Sequence, residues 1–573
     1  MTQEGTRACP VPLVLPIVFV PGIMGSRLQN RDGETVWNPG VGQALSWSRP
    51  VRNTGVGWTD TLIPLPYPTA EFGPMSPAER KARLVGPTFS PDFLSPATDP
   101  GQLPSAITDN PERQAKSIAR GYAGLAWDFY GPFMLWMEQG LVAALDDFPP
   151  ECGNIRLEPW AHPYNWTDTN ETAGQKLKEL IDDTVKPQVE AAYGEVDPPV
   201  EILDPVVVTH SMGGLVGRAC AKLSGGEGSV HGMIHGAMPT HGAPAAYKRM
   251  RAGFEGGDFG TIARESVARD VETRDRDAQN AIVRFFNDSY EGWRAIGRGT
   301  AGVGTGAVAR LFLGATAAEV TPLLANMPGG LQLLPNQYHK DRQGRRDWLR
   351  VTYAREGDIL TLPDSNPYEE IYNQRDKWYR LVTPSLIDPG NSSASVWTQY
   401  LTRLSGVADF HQELEESGGF HANTKMFYSA SSHHPCFDTV EWKAEVQDSR
   451  LRAKMSVATD MPDADNLIGT VAHIIGQETR VVTGGMGMAV PYEADVLGKI
   501  SIQEQDAPGD GTVHVGSGIH VPRRIESDPT TRANGGIVGY AHDAAYNDDD
   551  ARRQVAAWIS DMIVAQLEAR GLG

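Results

Sequence analysis

Along the stretch PVVVTHSMGGLVGRACAKL, Pro205 to Leu223, the hydrophobic pattern changes its period at the middle. Three consecutive β-branched residues, Val206 to Val208, flanked by Pro205 and a polar turn, have the unbroken apolar character of a strand buried inside a parallel sheet. Past Ser211 the pattern turns helical, with Leu215, Val216, Ala219 and Leu223 recurring at helical spacing. The reading is strand, sharp turn, helix, with a serine at the turn. LPIVFVPG reads as the first core strand, GMIHG as another, and Ile500 and Ile502 alternate in KISIQEQ as a strand does. Val555, Trp558, Ile559, Met562 and Ile563 fall on one face of a closing helix. Strands alternating with helices predict an α/β fold with a mostly parallel central sheet flanked by helices.

The chain has 573 residues, more than an ordinary single domain, which predicts one large core with big insertions or two closely packed domains. With 40% hydrophobic and 21% charged residues it is globular. A formal charge of −20 argues against nucleic acid as a partner and against simple electrostatic adhesion to anionic lipid. Membrane contact then falls to apolar surface. Residues 8–26 carry no charge, but Pro12, Pro16 and Pro21 would break a membrane helix, and the leader MTQEGTR is weakly basic with an acid in it. Neither a cleavable signal nor a transmembrane segment is expected, so the chain is cytoplasmic as made.

No cofactor or metal is expected. Cys9, Cys152, Cys220 and Cys436 are scattered without C-x-x-C spacing. SSHHPCF, with His433 and His434, has no second ligand pair at suitable spacing, and NDDDARR lacks the spaced oxygens and glycine of a calcium loop. The acidic run reads instead as a helix start.

A serine on a strand–turn–helix corner is the nucleophile-elbow arrangement of α/β-hydrolases, G-x-S-x-G. Here Thr209 stands in the place of the first glycine, while Gly213 and Gly214 supply small residues downstream. The alternative is a plain strand-to-helix connection with an incidental serine. A nucleophilic Ser211 needs a base, and the base an orienting carboxylate, because a neutral hydroxyl is too weak to attack an ester unaided. On that fold the order is serine, carboxylate, histidine. PGDGTV presents Asp510 on a tight turn after a strand, and only His514, His520 and His542 follow it. His514 is too close along the chain to fold back easily, and His520 precedes a polar loop. His542 directly precedes the closing helix, where the fold places its base. Taken singly, Asp510 also reads as a turn aspartate and His542 as a capping or surface histidine. The oxyanion donors would be the Met212 N–H, after the nucleophile, and the Ile23 N–H, in a loop where Gly22 permits a turn.

Ser211 and Asp510 are 299 residues apart, more than the core needs, so the excess is assigned to a cap. The chain then divides into 1–245, hydrolase core with oxyanion loop and elbow; 246–420, a mainly helical cap or lid; and 421–573, core with the acid and base. Residues 299–327 hold only Arg310 and Glu319 as charges, and Leu311, Phe312, Leu313, Leu323 and Leu324 are candidates to line an acyl pocket or to pack a buried helical hairpin. Asn30 to Pro111, rich in Pro, Gly and Trp, reads as irregular surface around the site entrance.

VFVPGIMGSRL, YAGLAWDFYGPF, HPYNWTDTN, THSMGGLVGR, GGLQLLPN and GDGTV, in this order, resemble the lecithin-cholesterol acyltransferase and lysosomal phospholipase group, and related bacterial lipases and inositol-deacylase-like enzymes of the α/β-hydrolase superfamily. The resemblance implies an esterase of long-chain acyl lipids, a lipase or phospholipase, with Ser211, Asp510 and His542 as its triad and Ile23 and Met212 as oxyanion donors. Asn165 departs from it, standing where many members carry an aspartate. The size and organisation also resemble bacterial lipase effectors delivered by type VI secretion, which implies an antibacterial role and an immunity protein as partner. Two other functions remain open: a soluble short-chain carboxylesterase, and a catalytically silent hydrolase fold used for binding.

Overall fold

The computed structural model describes residues 12–39, 75–86, 89–145, 155–253, 316–353, 357–446, 470–483, 489–532 and 535–572. Cys9, Cys152, the leader, and Leu311, Phe312 and Leu313 of the apolar segment lie outside them.

Seven strands form the central sheet: β1 (Leu13–Val20), β2 (Ile155–Ala161), β3 (Glu201–Ile202), β4 (Val206–His210), β5 (Gly232–Gly236), β6 (Thr424–Tyr428) and β7 (Glu526–Pro529). They lie in the order β7-β6-β5-β4-β1-β2, with the short β3 also pairing β1, and every pairing is parallel. β1, β4 and β5 are buried over their whole length, which is why their sequences are apolar runs and do not alternate with polar residues.

The period of two along a strand sends neighbouring side chains to opposite faces. Val14, Val18 and Val20 of β1 and Val207 of β4 enter one apolar cluster; Leu13, Leu15, Ile17 and Phe19 of β1 and Val206 and Val208 of β4 enter another. Helices α1 (Trp127–Gln139), α2 (Asn170–Glu179) and α3 (Gly213–Lys222) divide between them. Leu177 of α2 and Leu215, Val216 and Ala219 of α3 join the first, while Phe133 and Met134 of α1 join the second. Each such large apolar side chain contributes roughly 1.5–3 kcal/mol of burial. Helices α4 (Pro244–Ala252), α5 (Ala317–Leu324), α6 (Ala394–Glu416) and α7 (Asp549–Ala569) complete the set used below. The stripe predicted for α7 is buried in the second cluster, and its N-cap, Asp548, accepts the N–H groups of Asp550 and Ala551. The acidic run is a capped helix start.

A second sheet of five strands runs Gly357–Leu362, Leu349–Tyr353, Val440–Val446, Ala489–Ile502, Thr470–Thr483. Ile500 and Ile502 lie on a strand, as their alternation predicts, but in this sheet and not in the central one. The strands at 349–362 are absent from the helical pattern expected of 246–420; Leu349 and Val351 alternate there with Arg350 and Thr352, a period-two signal too short to stand out. The described part of Asn30–Pro111 is likewise more ordered than expected. Leu28–Gln29, Thr35–Trp37 and Ser95–Pro96 form a small sheet, and Ser76 and Glu79 make a capping box for the helix Pro77–Leu84. Among the described residues no helix is long and apolar enough to cross a membrane.

Candidate active site

β4 ends at His210, and the next residue, Ser211, has φ 53°, in the left-handed region, where a non-glycine residue costs about 1–3 kcal/mol. Its N–H donates to the Gly236 carbonyl at 2.9 Å, which ties the strained turn to the neighbouring strand. The helix that follows sits hard against the end of β1: a Cβ on Gly213 would lie 2.5 Å from the carbonyl oxygens of both Val20 and Pro21, so no side chain fits. Thr209 is accommodated from two sides. Its Oγ1 hydrogen-bonds His235 Nδ1 at 2.7 Å, and its Cγ2 faces Gly217, where a Cβ would approach to 3.2 Å. The room that the motif's first glycine would leave is supplied by Gly217.

His542 begins a short 3-10 helix, His542–Asn547, that leads into α7, and Asp510 sits in the turn after the strand Ala507–Gly509. Ser211 Oγ lies 2.8 Å from His542 Nε2, and His542 Nδ1 lies 2.8 Å from Asp510 Oδ2. All three are buried. The carboxylate only accepts, so Nδ1 carries the proton, Nε2 accepts, and the Ser211 hydroxyl donates. Asp510 Oδ1 accepts the Thr512 and Val513 N–H groups at 3.0 and 2.7 Å. Burial pushes the Asp510 carboxyl up, but the neighbouring His542 and these backbone donors outweigh it and hold it below the usual carboxylate range. The acid is thereby kept ionised beside the imidazole.

Of the sequence-predicted residues, Ser211, His542 and Asp510 converge, and Ile23 and the Met212 peptide lie beside them. Ile23 lines the cleft over Ser211. Neither the Ile23 nor the Met212 N–H makes a hydrogen bond among the described residues. His514 is turned away from Ser211, with its ring 5.0 Å from that of His339, and His520 bonds the Asp341 carbonyl. Three residues that sequence reasoning left without a role also belong here. Tyr130 and His210 are hydrogen-bonded to each other at 2.8 Å beside the serine. Buried Cys436 accepts the Gly511 N–H at 3.1 Å and donates to the Val513 carbonyl at 3.3 Å, bracing the Asp510 turn. The only sequence signal for them was adjacency: His210 precedes Ser211, and Tyr130 lies within the motif YAGLAWDFYGPF.

The cleft over Ser211 is open to solvent. Its walls are mainly apolar, with Met24, Trp37, Phe129, Leu324 and Leu333 among them, and its charged lining residues among those described are Arg249 and Asp543. No group of three or more His, Cys, Asp or Glu among the described residues is placed to hold a metal ion. Asn165 is explained by its donor: its Nδ2 reaches the Pro91 carbonyl at 3.3 Å, while its Oδ1 accepts from Thr167 N–H and Oγ1. An aspartate would lack the first of these bonds.

A serine at a strained strand-to-helix turn, on a parallel sheet wrapped by helices and reached by a histidine from the end of the chain, defines an α/β-hydrolase fold. No protein-family model matches the chain, and no curated protein matches it. Among solved structures, the Tle4-Tli4 complex contains a similar chain, with a TM-score of 0.64 and 21% sequence identity, the match covering 96% of this chain and 98% of that one. That likeness is one of fold.

Proposed function

We propose that the protein is a serine hydrolase that cleaves acyl ester bonds of lipids through Ser211, His542 and Asp510. The observation that carries the reading is the pair of 2.8 Å hydrogen bonds linking these three residues, with Ser211 and His542 lining a mainly apolar cleft. His542, oriented by Asp510, takes the proton of Ser211 as the hydroxyl attacks the ester carbonyl. The Ile23 and Met212 N–H groups receive the oxyanion, His542 returns the proton to the leaving alcohol, and water releases the acyl group by the same steps. The cleft's apolar walls suit an acyl chain.

In this reading the described part of 246–420, from which Ala246, Leu324 and Leu333 line the cleft, belongs to a cap whose apolar surface meets a membrane. The similar chain in the Tle4-Tli4 complex has a protein bound to it. Together with the resemblance to type VI lipase effectors, this supports an antibacterial effector whose partner is an immunity protein. The test is fatty-acid release from phospholipid vesicles, compared with short-chain ester hydrolysis, by wild type and Ser211→Ala, with folding followed by circular dichroism. Release by wild type and none by a folded Ser211→Ala supports the reading. Hydrolysis of short esters alone moves it to a carboxylesterase, and two folded, inert proteins leave the binding fold.

A further inference from the structure

Next to Ser211 lies a chain of hydrogen bonds whose direction can be worked out from chemistry alone. His210 Nε2 is 2.8 Å from the main-chain carbonyl of His542. A carbonyl only accepts, so Nε2 carries a proton. Burial first, and then the neighbouring His542, hold the His210 ring down at about 3, so it is neutral near pH 7 and its Nδ1 is an acceptor. The partner of Nδ1 is the Tyr130 hydroxyl at 2.8 Å, which must therefore donate. The Tyr130 oxygen in turn accepts the Gly22 N–H at 3.1 Å. The chain runs in one sense from Gly22 N–H through Tyr130 O–H to His210, and from His210 N–H to the His542 carbonyl. Reversing any link would ask a carbonyl to donate or leave a buried donor unpaired.

The two ends of this chain are the loop that leads to the Ile23 amide and the backbone of His542. At one end, the His542 backbone is held on both sides: its N–H donates to the Asp510 carbonyl at 2.9 Å, and its carbonyl is held by His210. At the other, the Gly22 N–H is engaged, and the next amide, that of Ile23, is left without a hydrogen bond among the described residues. Clearance is small, since a Cβ on Gly22 would lie 2.9 Å from Ser211 Cβ, 3.2 Å from His210 Nδ1 and 3.4 Å from the Tyr130 hydroxyl.

We propose that Tyr130 and His210 form a positioning pair that fixes the loop bearing the oxyanion donor in register with the loop bearing the base. The proposal rests on reading Ser211, His542 and Asp510 as catalytic; neither Tyr130 nor His210 touches the reacting atoms or exchanges a proton in the reaction.

The test uses the full-length protein with Tyr130→Phe, His210→Phe and the double variant, an ester substrate, and a trifluoromethyl ketone that mimics the tetrahedral intermediate. Tyr130→Phe is expected to lower kcat by about 10- to 100-fold, the scale of a small misplacement of catalytic groups, with KM changed by less than about twofold. The ketone's inhibition constant should rise by the same factor as kcat/KM falls. A pair that acts as one unit loses little more in the double variant than in either single one. His210→Gln, which keeps an N–H for the His542 carbonyl, should recover part of the loss that His210→Phe suffers. Should His210→Phe not fold, Tyr130→Phe, which removes one oxygen, carries the test. Active wild type beside an equally active Tyr130→Phe, or losses that multiply in the double variant, overturns the proposal alone. Wild type that hydrolyses no ester overturns the catalytic reading and the proposal with it.

Discussion

Replacing Thr209 with glycine would restore the G-x-S-x-G pattern in the elbow, and the structure predicts that it makes the protein worse. Thr209 and His235 are both fully buried, and among the described residues the only hydrogen-bond partner of the His235 ring is Thr209 Oγ1, because His235 Nε2 has none there. Removing the hydroxyl leaves both ring nitrogens unpaired, which costs about 1–3 kcal/mol. Losing two buried carbons adds roughly 1.5 kcal/mol, and a glycine inside a strand about 0.5–1 kcal/mol more. The total is about 3–5.5 kcal/mol. Thr209→Ser keeps the hydrogen bond and loses one methyl, about 1 kcal/mol, while Thr209→Val keeps the shape and loses the bond, about 1–3 kcal/mol. Urea-unfolding midpoints of the four proteins should therefore fall in the order wild type, Ser, Val, Gly. A glycine variant as stable as wild type would mean that the Thr209 hydroxyl and methyl hold nothing in place.

Gly213→Ala sets a Cβ against two backbone carbonyls that cannot move aside, so it should cost about 1–3 kcal/mol and lower ester hydrolysis through displacement of the Pro21–Gly22 loop; unchanged melting and rate would contradict the packing described. Asn165→Asp loses the donor to the Pro91 carbonyl and places a charge in a buried site, and should lower the urea midpoint by an amount equivalent to about 1–3 kcal/mol, with a larger loss at pH 7 than at pH 4. Burial holds His339 far below its usual range and His514 down at about 3. Both therefore bind protons in the unfolded chain before they do so in the fold, so their contribution to stability is complete above about pH 6.5 and is lost as pH falls below it, by about 1.4 kcal/mol per pH unit for each histidine. Midpoints measured from pH 7.5 to 5 should drop accordingly, and His339→Gln should flatten the drop; a wild-type profile with no slope would show that these rings are not held neutral by the fold.

The central sheet was legible because a buried parallel strand leaves an unbroken apolar run, as in Val206 to Val208, and because α7 carries a clean helical stripe. The convergence of Ser211, Asp510 and His542 was legible from chain order and from what precedes and follows each residue. Tyr130 and His210 were not, because their role is set by hydrogen bonds between residues 80 apart in one case and 332 in the other, which no local pattern records. Cys436 read as an isolated thiol, and only the pairing of Ser431–Cys436 with Ala507–Gly509 brings it under the Asp510 turn. The second sheet escaped notice for a different reason. Two of its strand pairs, 349–362 and 470–502, are local, but Val440–Val446 joins them across long stretches of chain, and none of the five carries a long apolar run.

If Ser211 is a nucleophile activated by His542, it is open to covalent labelling by a reagent selective for such serines. The folded protein is treated with a fluorophosphonate, which reacts with activated serines, digested, and mapped by mass spectrometry. One adduct is expected, on the peptide containing Ser211, and it should be lost in a folded His542→Ala variant. No adduct on folded wild type, or an adduct on another serine that persists with ester hydrolysis in Ser211→Ala, would contradict it.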